Sequence, residues 1–342
     1  MIQGVCVIII SDWQYYIRTL CNMNASGNMR DNNTELSDTH SPYIIYLSEG
    51  LLSLVIVIGH IVAISVIRQC RLVPMSVIML IMNLCVIDII AGIWGAIRLS
   101  LKSIIENKMF CDIEIFVMTT LYNISVLLVT LIALDRFYSI FYPMRYTYHV
   151  IKSLYRTVCL FTWSFGIVLS TMVIVSDLSG ISSARYCTIN MNYQYVIPWL
   201  LFAVRFTCIV ILCFVYVKIY IKSREISKLY YHGKNSRENK TLIKVIFIVV
   251  PHITVHLFNV TLFFLGSWVI LEDGSLYESN IFVLAIVVDM WVYVIRFEEC
   301  RLHLMIKFWF WNIKRKQVYV ERLKHLQVSF LTSRPGSETS GV

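Results

Sequence analysis

Charge is scarce in this sequence: Asp, Glu, Lys and Arg supply 15% of the 342 residues, apolar residues supply 58%, and the mean hydropathy is +0.69. Soluble domains carry about 25% charged and about 45–50% apolar residues. A soluble chain of this composition would lack the polar surface to cover itself. Enzyme signatures are missing as well. There is no G-x-x-x-x-G-K-[ST] phosphate loop, no H-E-x-x-H and no Cys–His zinc spacing, so phosphate-loop and zinc chemistry find no support. No internal repeat points to a transporter built from inverted halves. The short alternating segments of a membrane barrel are absent too.

What is present is a series of apolar blocks at 44–67, 75–97, 112–134, 157–175, 196–217, 243–270 and 279–295. Each is close to the length that crosses a ~30 Å hydrocarbon core as a helix. Lipid offers no partner to a free backbone amide, so the blocks must be helical. The expected fold is an all-α membrane protein, a bundle of seven transmembrane helices over 44–295. The last block is the weakest, being short and containing Asp289.

The formal net charge of +9 would suit nucleic acid, but its placement does not. Basic residues collect on alternate loops. Lys218, Lys222, Arg224, Lys228, Lys234, Arg237, Lys240 and Lys244 fill 218–244, and Arg301, Lys307, Lys314 and Lys316 follow the last block. The loop 271–279 carries Glu272, Asp273 and Glu278 and no basic residue. The positive-inside rule then puts the N-terminus outside the cell and the C-terminus in the cytosol, and no nucleic-acid partner is expected. Residues 1–43 become an extracellular segment with glycosylation acceptors at Asn24 and Asn32. Its apolar run from Val5 to Ile10 is too short, and lacks the basic flank, for a signal peptide.

Ten cysteines occur, and Cys85, Cys159, Cys208 and Cys213 lie inside the apolar blocks, where cysteine acts as a small apolar residue. Cys111 opens the third block and Cys187 lies in the second external loop, so these two are expected to pair in an oxidising compartment. Cys6 and Cys21 are a second external pair of candidates. After the last block, Leu302, Met305, Phe308, Trp309 and Trp311 alternate with basic residues. Residues 296–316 therefore read as an amphipathic helix on the inner leaflet, and 317–342 as a cytosolic tail. No cysteine follows Cys300, which argues against an acylated anchor beyond that helix.

Polar residues inside spans are costly and usually functional, and here they fall in a recognisable order. Asn83-Leu84 precedes Asp88 in the second span. Asp135-Arg136-Phe137 ends the third, 25 residues after Cys111, and continues into Ile140, Pro143 and Tyr146. Trp163 stands in the fourth, Tyr216 and Tyr220 end the fifth, and Pro251 lies in the sixth. Asp289-Met290-Trp291-Val292-Tyr293 closes the seventh, followed by Arg296 and Glu299-Cys300-Arg301. Over roughly 44–312 the chain resembles the rhodopsin-like, or class A, G-protein-coupled receptors. Ser139 to Tyr146, Asp289 and the absence of proline at Cys208 are similar to the melanocortin, adenosine and lipid-receptor branch, whereas Cys187 is unlike melanocortin receptors.

The resemblance implies a plasma-membrane receptor that binds an extracellular small molecule or peptide and promotes nucleotide exchange on a heterotrimeric G-protein, with no chemistry or cofactor of its own. It assigns Asp135, Arg136, Phe137, Tyr216 and Tyr293 to coupling and switching. It groups Asp88, Ser125 and Asp289 as a polar network in mid-membrane, where two readings stand: a bound sodium ion, or carboxylates that are simply protonated. His60 follows Gly59 where the family has Asn. It either replaces or weakens sodium coordination, or donates one hydrogen bond as a neutral ring. Ligand-pocket candidates are Glu49, Arg98, Glu114, Met118, Tyr122, Arg205, His252 and His256. Met118 occupies the position where amine receptors keep an aspartate, which argues against an amine ligand. Arg205 needs an anionic partner, either an acidic ligand group or Glu114. His252 and His256 share a helix face, as a polar pocket wall or a metal pair. Ser329, Thr332, Ser333, Ser337, Thr339 and Ser340, if phosphorylated, would form an arrestin-binding patch; otherwise they belong to a plain solvated tail.

The departures lie in the parts that switch. Ile248-Val249-Val250-Pro251 stands where the family has C-W-x-P, so Val249 replaces the Trp, and Met290 stands for the seventh-span proline. A constitutive, weakly coupled or silent receptor is therefore a second expectation, and a chemosensory role a third.

Overall fold

The computed structural model describes residues 41–102, 108–143, 146, 152–177, 196–229, 254, 257, 286 and 297–332, some of them, such as 41–49 and 111, by backbone alone. Contacts group Ser48–Val342 into one compact unit; of Met1–Leu47, only the start of a helix at Ser41 is described. Five long helices come first: α1 (Ser41–Ile67), α2 (Met75–Lys102), α3 (Lys108–Phe141), α4 (Lys152–Asp177) and α5 (Val196–Leu229). Two more, α6 (Glu298–Phe308) and α7 (Ile313–Thr332), follow. No strand occurs among the described residues. All five long helices contain a window long and apolar enough to cross a membrane. The sixth and seventh apolar blocks lie almost wholly outside the described residues.

Each long helix contains its apolar block, and all five run past it at one or both ends, because the backbone stays helical after the side chains turn polar. Prolines set two of the ends. The Pro74 carbonyl accepts the Ile78 amide at 3.1 Å in the first turn of α2, a position proline tolerates since it has no amide to satisfy. Pro143 follows the end of α3 at Phe141, where the residue ahead of a proline is pushed out of helical geometry.

The third helix holds the centre, packing against α2, α4 and α5. Its spanning window is 72% buried, against 33% for those of α1, α4 and α5. Ile124, Leu128, Val129, Ile132 and Ala133 of α3 join Leu80, Ile81, Leu84 and Ile87 of α2 and Leu212 of α5 in one buried cluster. Leu51, Leu54, Ile58 and Ile61 of α1, and Phe161, Val168 and Val175 of α4, stay exposed and present apolar surface to lipid. Two close approaches depend on glycine. At Gly166 of α4 an added Cβ would run into the Ile124 side chain of α3. At Gly92 of α2 it would lie 2.9 Å from Val57 Cγ2 and 3.2 Å from the Ser53 carbonyl oxygen of α1. Small residues let backbones approach where apolar burial alone gives no drive in lipid.

The segment after the last block differs from the single amphipathic helix expected over 296–316. Two helices meet there. Trp309 ends α6, its amide donating to the Met305 carbonyl at 2.9 Å. Asn312 then caps the next helix, its Oδ1 accepting the Arg315 amide at 3.1 Å. The helix so started runs to Thr332, through residues expected to belong to a plain tail and including Ser329. Good helix formers between Lys314 and Gln327 support it.

Candidate functional site

At the Phe141 end of α3 the Asp135 carboxylate is the hub. It is buried, at 6% exposure. Arg136 Nη2 pairs with Asp135 Oδ2 at 3.2 Å. The Tyr155 hydroxyl, from the first turn of α4, donates to Asp135 Oδ1 at 2.6 Å. The Tyr146 hydroxyl lies 3.2 Å from Oδ1 and 3.4 Å from Oδ2. Tyr146 also meets Ser76 Oγ of α2 at 2.9 Å. Burial pushes the Tyr146 hydroxyl above its ordinary range; the Ser76 hydrogen bond pulls the other way, and the Asp135 charge adds to the rise. At neutral pH it is therefore a proton donor. Three elements thus converge on one carboxylate beside one arginine.

Arg136 lies 5.9 Å from the Phe297 ring centroid, just before α6. Phe137 stacks on Phe141 with ring centroids 4.4 Å apart, and Tyr216 of α5 packs on the central core. Tyr293, expected to join them, lies outside the described residues.

The same end carries a clamp between the α1–α2 loop and α6. Glu299 is buried, and its two carboxylate oxygens accept the Arg71 and Leu72 amides at 2.9 and 2.8 Å. Lys307 Nζ donates to the Ser65 carbonyl at 3.1 Å. A disulfide joins Cys70 and Cys300, whose Cα atoms are 6.0 Å apart, within the usual bridging range. The pair expected between Cys111 and Cys187 cannot be placed: Cys187 and the Cys111 side chain lie outside the described residues.

In mid-bundle Asp88 of α2 meets His60 of α1. Asp88 Oδ2 and His60 Nε2 are 3.0 Å apart, and both side chains are 1% exposed. The other ring nitrogen, Nδ1, is 2.8 Å from the Ile56 carbonyl. Asn83, one turn away on the same helix, accepts the Trp163 indole proton of α4 at 3.3 Å. Ser125 is buried on α3; Asp289 lies outside the described residues. No group of three metal-ligating side chains occurs among the described residues.

Two arginines occupy the other half of the bundle. Arg98 Nη1 pairs with Glu114 Oε1 at 3.0 Å, linking α2 to α3. Arg205 of α5, 3% exposed, donates from Nε to Asn123 Oδ1 at 3.1 Å and lies 4.3 Å over the Tyr122 ring. Glu114 is therefore the partner of Arg98, and Arg205 meets an amide and an aromatic face. Met118 packs against the core from the same helix as Tyr122. Glu49 belongs to α1 by its backbone alone, and His252 and His256 lie outside the described residues, as do Asn24 and Asn32.

Sequence reading did not single out Tyr155, Ser76 or Asn123 for these contacts. Asn123 carried a signal, being an amide inside an apolar span. Tyr155 carried none: an aromatic at a helix end is ordinary, and its partner lies 20 residues away on another helix.

Comparison with curated proteins returns no match. Residues 59–296, more than half of the chain, match the family described as 7 transmembrane receptor (rhodopsin family), so the chain belongs to this family of G-protein-coupled receptors, a class of all-helical, multi-pass membrane signalling proteins rather than of enzymes.

Proposed function

We propose that this receptor binds an extracellular ligand between its helices and promotes nucleotide exchange on a heterotrimeric G-protein at the end that carries Arg136. The observation behind this reading is the buried Asp135 carboxylate, which holds Arg136 at 3.2 Å while Tyr155 and Tyr146 hold the carboxylate. In this reading the network represents the resting state. A ligand favouring a state in which the helices part would free the guanidinium, a planar five-donor group suited to backbone and carboxylate partners. Binding then acts by shifting populations between two states.

In this reading the N-terminus is extracellular and the C-terminus cytosolic, as the basic 218–244 loop and tail favour. The ligand would lie among Arg98, Glu114, Met118, Tyr122 and Arg205. Phosphorylation of Ser333, Ser337, Thr339 and Ser340 would add an acidic patch for arrestin. Arrestin recruitment that persists with all four replaced by alanine would remove that part of the reading.

Val249, two residues ahead of Pro251, and Met290 in the seventh span favour a second reading, a seven-helix scaffold that no longer signals. One experiment separates the two: ligand-free nucleotide exchange on a panel of G-proteins in membranes, wild type against Arg136→Ala at equal surface expression. The receptor reading predicts a signal on at least one partner that Arg136→Ala abolishes. A signal unchanged by the substitution would overturn the assigned role of Arg136. Silence on every partner, with and without candidate ligands, would favour the scaffold.

A further inference from the structure

A carboxylate as deeply buried as Asp88 must be neutralised by a cation, a proton or a partner side chain, because a bare charge in mid-bundle is too costly. Sodium is one candidate for that neutralisation, and its fit can be tested on the residues present. The Ile56 carbonyl can only accept a hydrogen bond, so the His60 Nδ1 that lies 2.8 Å from it carries a proton. The opposite nitrogen, Nε2, lies 3.0 Å from Asp88 Oδ2. That contact is attractive only if one proton sits between the two atoms, on the nitrogen or on the oxygen. In either placement the His60–Asp88 pair is neutral as a unit. A hard cation prefers oxygen ligands, and here a ring nitrogen covers one carboxylate oxygen and the pair offers no net negative charge. Among the described residues, the His60–Asp88 pair does not fit a bound sodium ion.

We infer that His60 takes the place of a cation at Asp88, so that this carboxylate is neutralised from within the chain and the receptor is indifferent to sodium. The contact also ties α1 to α2 at the depth where a bound ion would otherwise hold the bundle. Nothing in this depends on whether the chain couples to a G-protein, because the readout below is stability.

The test is thermal unfolding of the purified full-length chain in detergent, in sodium chloride against N-methylglucamine chloride, at equal ionic strength of about 0.15 M. Wild type should show the same midpoint in both salts. His60→Asn, which uncovers the carboxylate, should gain a midpoint that rises with sodium, and Asp88→Asn added to it should remove that gain. Should His60→Asn fail to fold, His60→Gln replaces it. A sodium-dependent rise in wild type overturns the inference, as does a His60 variant that stays as indifferent to sodium as wild type.

Discussion

Asp135 gathers two tyrosine hydroxyls and one guanidinium, and the shortest of these contacts, 2.6 Å, comes from Tyr155 rather than from the neighbouring arginine. Hydrogen bonds to charged groups contribute about 1.5–3 kcal/mol. Tyr155 therefore has as much leverage on the carboxylate as any residue in the sequence motif itself. If the network holds the resting state, removing one hydroxyl loosens Arg136 without leaving a cavity. Tyr155→Phe is expected to raise ligand-free exchange by a few-fold to about tenfold, since about 1.4 kcal/mol corresponds to a factor of ten and only part of the bond separates the two states. Exchange assays in membranes at matched expression measure it; exchange at or below the wild-type level would argue that Tyr155 is merely packing. Asp135 and Arg136 were legible because Asp135-Arg136-Phe137 and the residues after it resemble a motif of the receptor family. Tyr155 and Ser76 were not, because only packing brings α2 and α4 to that carboxylate.

Among the elements, each of the first five apolar blocks lies inside a described helix, since hydrocarbon thickness dictates a minimum length for each. Their true ends were harder to read: α3 runs on to Phe141, and a capping Asn312 splits the segment after the spans into two helices. The clamp on α6 was hidden too. Glu299 lies 228 residues from Arg71, whose amide it accepts, and no periodicity links the two. That clamp makes a stability prediction. Glu299→Ala leaves the Arg71 and Leu72 amides without their acceptor, and each lost bond to a charged group costs about 1.5–3 kcal/mol. The thermal midpoint should fall clearly, and less for Glu299→Gln, which keeps one acceptor oxygen. Midpoints equal to wild type in both variants would show that the loop and α6 hold together without this carboxylate.

For the molecule as a whole, a single proposition joins the parts. Among its described residues, a bundle centred on α3 pairs Arg98 with Glu114, His60 with Asp88, and Arg136 with Asp135, while Arg205 meets the Asn123 amide and the Tyr122 ring. The third of these pairs is the one that the proposed function places against the G-protein. The central claim is that Tyr155 and Asp135 act on signalling by restraining Arg136. The most direct measurement compares ligand-free nucleotide exchange for Tyr155→Phe with that for Tyr155→Phe/Arg136→Ala. The account predicts that the single variant is raised and that the double variant falls to the level of Arg136→Ala alone. A double variant that keeps the raised exchange would contradict it, because the gain would then bypass the arginine.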